Sequence, residues 1–233
     1  MILNDFSEQN LTSELIAKIL FEIKAVNFSP KNPYRLTSGI VSPVYIDCRK
    51  LISFVRARST IMDLTAKFVL RNIGFESIDI IAGGETAGIP FATLLAERLN
   101  LPMIYIRKRV KGHGKKSQIE GNFFKGARVL IIEDLITLGS SMFDFIKVIR
   151  GSGGIVQDGI GLFYYNILPE VLERFREDNV KLHYLSTWKD VLEISEKLKI
   201  FNQDVLQEVR CFLDSPMKWS EKNGGAGKID YKK

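Results

Sequence analysis

The chain has 233 residues, 45% hydrophobic and 26% charged, with a formal net charge of +6. That reads as a soluble globular protein long enough to bury one large core. No run of 18 or more uncharged apolar residues occurs, which excludes a membrane-spanning helix. The opening Met1-Ile2-Leu3-Asn4-Asp5 lacks a basic stretch followed by an apolar one, so no secretory leader is expected and the protein reads as cytoplasmic. The excess charge is concentrated: residues 107–116 hold six Lys or Arg and no acid, and the remainder sums to zero. One dense patch predicts a small, highly anionic ligand and no nucleic-acid partner.

Residues 11–26 place Leu11, Leu15, Ile16, Ile19, Leu20 and Ile23 at helical spacing. Gly39 and Pro43, set among β-formers at 35–48, predict short strands and a turn. A second helix is expected at 56–72, burying Ile61, Leu64, Phe68 and Val69. Then the rhythm changes to apolar runs alternating with helices: strand 78–82, helix 88–99, strand 103–106, strand 128–132, helix 140–150 and strands at 155–165 and 182–185. This alternation predicts an α/β fold with a mainly parallel sheet flanked by helices, and ligands at the carboxyl ends of the strands. Those ends carry Gly83-Gly84, the basic segment from Arg107, and Glu133-Asp134. Gly151 to Gly154 reads as a helix stop, and His183 as a structural residue within a strand. Cys48 and Cys211 form no metal or redox spacing and read as two buried thiols. Three parts are expected: 1–50, an N-terminal helix and hood; 51–219, the core; and 220–233, a flexible basic tail.

The string Val-Leu-Ile-Ile-Glu-Asp-Leu-Ile-Thr-Leu-Gly-Ser-Ser at 129–141 brings two adjacent carboxylates on a buried strand to a turn that opens a helix. Free N–H groups of a first helical turn, hydroxyls and a glycine suit a monophosphate, and the carboxylates suit the vicinal hydroxyls of a sugar. By itself the string also fits an ordinary capped helix. It resembles the phosphoribosyl-pyrophosphate motif of the type I phosphoribosyltransferases. Residues 37–49, Thr-Ser-Gly-Ile-Val-Ser-Pro-Val-Tyr-Ile-Asp-Cys-Arg, resemble the Ser-Gly-x-x-Ser-Pro-x-Tyr segment at the orotate end of the site in orotate phosphoribosyltransferases. Residues 107–114, Arg-Lys-Arg-Val-Lys-Gly-His-Gly, are similar to that family's mobile catalytic loop. A third turn, Gly83-Gly84-Glu85-Thr86-Ala87-Gly88, offers backbone N–H groups to a pyrophosphate; without Gly-Lys-Ser/Thr it is not a triphosphate P-loop.

The resemblance implies a type I phosphoribosyltransferase-like fold, a small N-terminal hood, and transfer of a phosphoribosyl group to orotate in pyrimidine biosynthesis. It further implies Mg²⁺ held mainly by the substrate, and a homodimer with shared active sites. Thr137, Leu138, Gly139, Ser140 and Ser141 would hold the 5′-phosphate, Glu133 and Asp134 the ribose hydroxyls, and Gly83, Gly84 and Thr86 the pyrophosphate. Arg107, Lys108, Lys111 and His113 would act on the leaving pyrophosphate, with Lys108, Lys111 and His113 catalytic, while Tyr45 and Ile46 would line the base pocket. A phosphoribosyltransferase for another base is opposed by the Ser-Gly-x-x-Ser-Pro segment. A non-catalytic regulator sensing phosphoribosyl pyrophosphate is opposed by the intact basic loop. Three cations common in the family are missing: Thr37 precedes Ser-Gly, Thr86-Ala87 stands where Tyr-Lys is frequent, and Leu162 to Asn166 carries no arginine. Arg35, Arg49 and Lys50 are the candidate replacements.

Overall fold

The computed structural model describes residues 3–109 and 118–229. In chain order it contains α1 (Leu3–Glu22), β1 (Val26–Phe28), β2 (Tyr34–Arg35), β3 (Val41–Ser42), β4 (Val44–Ile46), a 3-10 turn (Cys48–Ser53), α2 (Val55–Asn72), β5 (Ile80–Gly84) and α3 (Gly88–Leu99). There follow β6 (Met103–Ile106), β7 (Ile119–Glu120), β8 (Arg128–Ile136), α4 (Ser140–Gly151), β9 (Ile155–Tyr164), α5 (Glu170–Glu177), β10 (Lys181–Thr187), α6 (Trp188–Lys197), α7 (Gln203–Asp214) and α8 (Pro216–Lys222). No described helix is long and apolar enough to cross a membrane.

The chain divides into two units. The larger, residues 51–164 and 170–185, is built on a six-stranded sheet of order β10-β9-β8-β5-β6-β7. β5 pairs in parallel with β6 and with β8, β8 pairs in parallel with β9, and β7 returns antiparallel to β6. Ile80 to Ala82 and Val129 to Ile132 are buried without alternation, as strands covered on both faces must be. Two adjacent glycines identify the covers. A Cβ on Gly83 would stand 2.8 Å from Cβ of Ala92 in α3, whereas one on Gly84 would run into the Phe145 ring of α4. Successive strand residues face opposite ways, so α3 and α4 lie on opposite faces of the sheet.

The smaller unit comprises residues up to 50, 165–169 and from 186 onward. Its strands form two antiparallel pairs, with Val26 beside Ile46 and Tyr34 beside Ser42. α6 packs on α1, and its buried stripe of Trp188, Val191 and Ile194 answers Ile16 and Leu20 of α1. Phe28 stacks on Phe201 at 4.4 Å between centroids, and Tyr165 meets Trp188 edge-on at 5.4 Å.

The observed elements depart from the sequence expectations at several points. The first helix starts at Leu3, and its residues Leu11 and Leu15 are exposed; only Ile16, Leu20 and Ile23 of that apolar set are fully buried. The helices after 165 were not foreseen. Residues 186 onward group with the smaller unit. Cys48 is buried, but Cys211 is exposed and is a correction to the expected pair of buried thiols. The buried stripe of α7 is Leu206, Val209 and Phe212, and position 211 falls off it. The stretch 220–226, expected to be frayed, is bonded: Ser220 Oγ donates to the Ala226 carbonyl, and Ala226 N–H donates to the Gly39 carbonyl. His183 sits in β10, 2.7 Å from Asp158 Oδ1 through Nε2 and edge-on to Phe68.

Candidate active site

In the larger unit, three strand ends carry the chemistry. β8 continues past Ile132 through both carboxylates, with Glu133 beside Gly161 and Ile136 beside Tyr164 in β9. Glu133 and Asp134 are therefore strand residues, each only 8% exposed, and the turn begins at Thr137. Thr137 and Leu138 are half-buried and Ser140 and Ser141 exposed. Gly139 is the N-cap of α4 with φ +76°, a left-handed value that glycine adopts without cost. A Cβ there would also stand 2.7 Å from the Phe175 ring, which stacks on Phe143 at 4.2 Å. No side chain caps α4, so its first-turn amides are left for an anion.

Gly84 and Gly88 form the floor under Glu133. A Cβ on Gly84 would overlap Glu133 Oε1, and one on Gly88 would lie 3.3 Å from Oε2 and 2.8 Å from the Ile132 carbonyl. Glu133 Oε1 is buried and has no hydrogen-bond partner among the described residues. Burial first, then the neighbouring Asp134, push the Glu133 carboxyl up to about 8, against a downward pull from Lys108. A group held this way is largely protonated at neutral pH and can donate a hydrogen bond.

The turn after β5 contains a contact that motif reading missed. Glu85 N–H donates to the Ile106 carbonyl (2.8 Å), and Glu85 Oε2 accepts the Lys108 backbone N–H (2.8 Å). An acid inside an anion-binding turn was the available signal, because it needs a job other than binding phosphate. Here the Glu85 carboxylate ties the root of the basic loop to the turn after β5. The Glu85–Thr86 peptide is cis, and Thr86 is exposed. At the loop's base Arg107 N–H donates to the Gln118 carbonyl (2.8 Å), and Gln118 Nε2 returns a bond to the Arg107 carbonyl (3.1 Å). The residues on either side of the segment, Arg107 and Gln118, are thus bonded to each other where β6 and antiparallel β7 end. Arg107 lies 3.7 Å from Glu120. Lys108 is exposed; Lys111 and His113 lie outside the described residues.

In the smaller unit, Tyr45 and Ile46 lie on β4. Ile46 is fully buried, while half-buried Tyr45 has its ring 5.2 Å from that of Tyr34. The candidate replacement cations are all engaged. Arg49 donates to Asp47 Oδ1 (2.8 Å) and to the Tyr45 hydroxyl (2.9 Å), Lys50 to the Lys24 carbonyl (2.7 Å), and Arg35 to the Gly224 carbonyl (2.8 Å). Arg49 therefore orients the tyrosine.

This arrangement has relatives. A phosphoribosyl transferase domain model matches residues 57–154. An orotate phosphoribosyltransferase of Rhizobium rhizogenes is 57% identical over 227 residues, covering 97% of this chain and 98% of that protein. The chain belongs to the orotate phosphoribosyltransferase family. Among solved structures, the orotate phosphoribosyltransferase of Aeropyrum pernix superposes with TM-score 0.67 at 33% identity, over 80% of this chain and 99% of that one. A UMP synthase of Leishmania donovani gives TM-score 0.75 at 28% identity, over 87% of this chain and 42% of that one. The fold is therefore that of the type I phosphoribosyltransferases. The similarity to the Rhizobium rhizogenes enzyme also extends beyond the domain match, through the segment at 37–49 and the helices α6 to α8.

Proposed function

We propose that the protein is an orotate phosphoribosyltransferase, joining orotate to phosphoribosyl pyrophosphate to give orotidine 5′-monophosphate and pyrophosphate in pyrimidine biosynthesis. The observation that carries this reading is the 57% identity over 97% of the chain, which spans the base end as well as the sugar-phosphate clamp. The residues divide the work. Thr137 to Ser141 hold the 5′-phosphate on the uncapped turn of α4, and Thr137 also approaches orotate. Glu133 and Asp134 hold the ribose hydroxyls, Glu133 as a donor from its protonated carboxyl. Gly83, Gly84 and Thr86 present backbone to the pyrophosphate. Tyr45 and Ile46 serve the base.

As the glycosidic bond to pyrophosphate breaks, negative charge builds on the leaving group. Arg107, Lys108, Lys111 and His113 stabilise that charge more in the transition state than in the ground state, which is what accelerates the step. Closure of the loop they occupy keeps water from the activated sugar. No covalent nucleophile is required.

Among the described residues no group of three or more His, Cys, Asp or Glu side chains could hold a metal ion. The Asp134 carboxylate, beside an unpartnered oxygen of the Glu133 carboxyl, fits a divalent cation that takes most of its ligands from substrate oxygens, as Mg²⁺ does with phosphates. When bound it would neutralise charge on the pyrophosphate. We infer a cytoplasmic homodimer in which the basic loop of one subunit completes its neighbour's site, acting on small molecules and not on nucleic acid.

The test is the fall of orotate ultraviolet absorbance with phosphoribosyl pyrophosphate and Mg²⁺, for wild type and for Lys111→Ala. Turnover by the wild type and a loss of about a hundredfold or more in the variant are expected. Orotate left untouched by the wild type overturns the assignment.

A further inference from the structure

The hairpin that leads into the base-end residues Tyr45 and Ile46 is a poor structure by itself. β2 and β3 are two residues each, joined by a turn in which Gly39 N–H donates to the Leu36 carbonyl (2.9 Å) and Leu36 N–H to the Ile40 carbonyl (2.8 Å). A hairpin this short is not stable alone in water. Its backbone is completed from the other end of the chain. Val41 N–H donates to Ser220 Oγ (3.0 Å), Ala226 N–H to the Gly39 carbonyl (3.0 Å), and Arg35 Nη2 to the Gly224 carbonyl (2.8 Å).

Ser220 is the centre of this fastening. It is fully buried, accepts from Val41 and donates to the Ala226 carbonyl at 2.7 Å, so one hydroxyl satisfies two backbone groups from separate strands of chain. Gly225 leaves no slack: a Cβ there would lie 2.7 Å from the Val41 nitrogen. The other side of α8 is anchored. Trp219 is buried, donates its indole N–H to Glu208 of α7 (3.1 Å) and meets the Phe212 ring edge-on at 5.6 Å. The hairpin is thus tied to a helix that is itself tied down.

We propose that residues 216–227 are a clasp that fixes the position of residues 38–42 and thereby sets the affinity for orotate, with Ser220 as its positioning residue. The proposal rests on the assignment of 37–49 as the base end. Removing the Ser220 hydroxyl leaves Val41 N–H and the Ala226 carbonyl without their bond, and the hairpin gains freedom that orotate binding must then take away. The sugar-phosphate clamp, built from β5, β8 and α4, is untouched by that change.

Steady-state kinetics on the full-length protein separate the cases, with Ser220→Ala and Ala226→Pro as variants. The second deletes the N–H given to Gly39 and also fixes φ at position 226. The KM for orotate is expected to rise about tenfold, ~1.4 kcal/mol, in each variant, with the KM for phosphoribosyl pyrophosphate and kcat held within about twofold. Amide exchange in 37–43 should quicken in parallel. If exchange quickens while the orotate KM stays put, the clasp is structural only and the proposal falls. It falls equally if both KM values and kcat worsen together. A wild-type protein that ignores orotate overturns the underlying assignment instead, and that result is visible before either variant is assayed.

Discussion

The proposed sugar-phosphate clamp and the proposed base end are built in opposite ways. The clamp is contiguous: β8, the turn at 137–139 and the start of α4 follow one another, and the floor beneath Glu133 comes from Gly84 and Gly88 at the end of the neighbouring strand. Each part is placed by regular secondary structure with buried apolar flanks. The proposed base end combines β4, paired with β1, and a minimal β2–β3 hairpin fastened by partners 179 or more residues away. The difference teaches where substitution is dangerous. In the clamp, shape is rigid and one added atom has nowhere to go. In the base end, position is the sum of several modest hydrogen bonds.

Substitutions in the two regions can break or sharpen that contrast. Gly84→Ala should do the most damage, because its Cβ overlaps both Glu133 Oε1 and the Phe145 ring. A loss of about 3 kcal/mol or more is expected in urea unfolding, with the KM for phosphoribosyl pyrophosphate rising sharply. Wild-type stability in this variant would show that the clamp is softer than argued.

Next comes pH. Glu133 is held up to about 8 from an ordinary 4.5, so the folded protein binds a proton that the unfolded chain releases between those values. Its contribution is fully present below about 4.5 and is lost as pH rises through about 8. Unfolding of the ligand-free protein across that window should therefore show falling stability, and Glu133→Gln should flatten the dependence. An unchanged slope in the variant would assign the effect to another group.

The smallest effect belongs to the base end. Arg49 is exposed and holds Asp47 and Tyr45. Arg49→Ala should shift stability by less than about 0.5 kcal/mol and raise the KM for orotate by roughly threefold or less, ~0.7 kcal/mol. A tenfold rise would place the guanidinium in contact with orotate rather than behind the tyrosine.

The same contrast explains what the sequence disclosed. Helix 88–99 and strand 103–106 were legible to the residue, because buried β-branched runs and a helical apolar stripe are local patterns. The carboxylate pair and the Thr-x-Gly-Ser turn were legible for the same reason. That β8 runs on to Ile136 was not, since the pairing with β9 that extends it is a long-range contact. Glu85 was passed over because its partner is a backbone amide, and a backbone amide leaves no trace in side-chain identity. The stretch 220–226 looked frayed for a related reason. Its glycines and small residues suggest flexibility when read alone, yet Gly225 is small because Val41 and Ser220 stand against it.

The dependence of the hairpin on Ser220 also has a history in time. A ribosome adding roughly 5–20 residues per second needs about 10–35 s to travel from Val41 to Ser220. For the last part of that interval, once Tyr164 has been added, the nascent chain has every residue of the central strands β5 to β9, while the hairpin near its beginning still waits for its partners. Synthesis halted between residues 185 and 220 would yield a chain with every residue of the larger unit but with its β2–β3 hairpin unfastened. Chaperone dependence and aggregation of truncated products should accordingly centre on the first fifty residues.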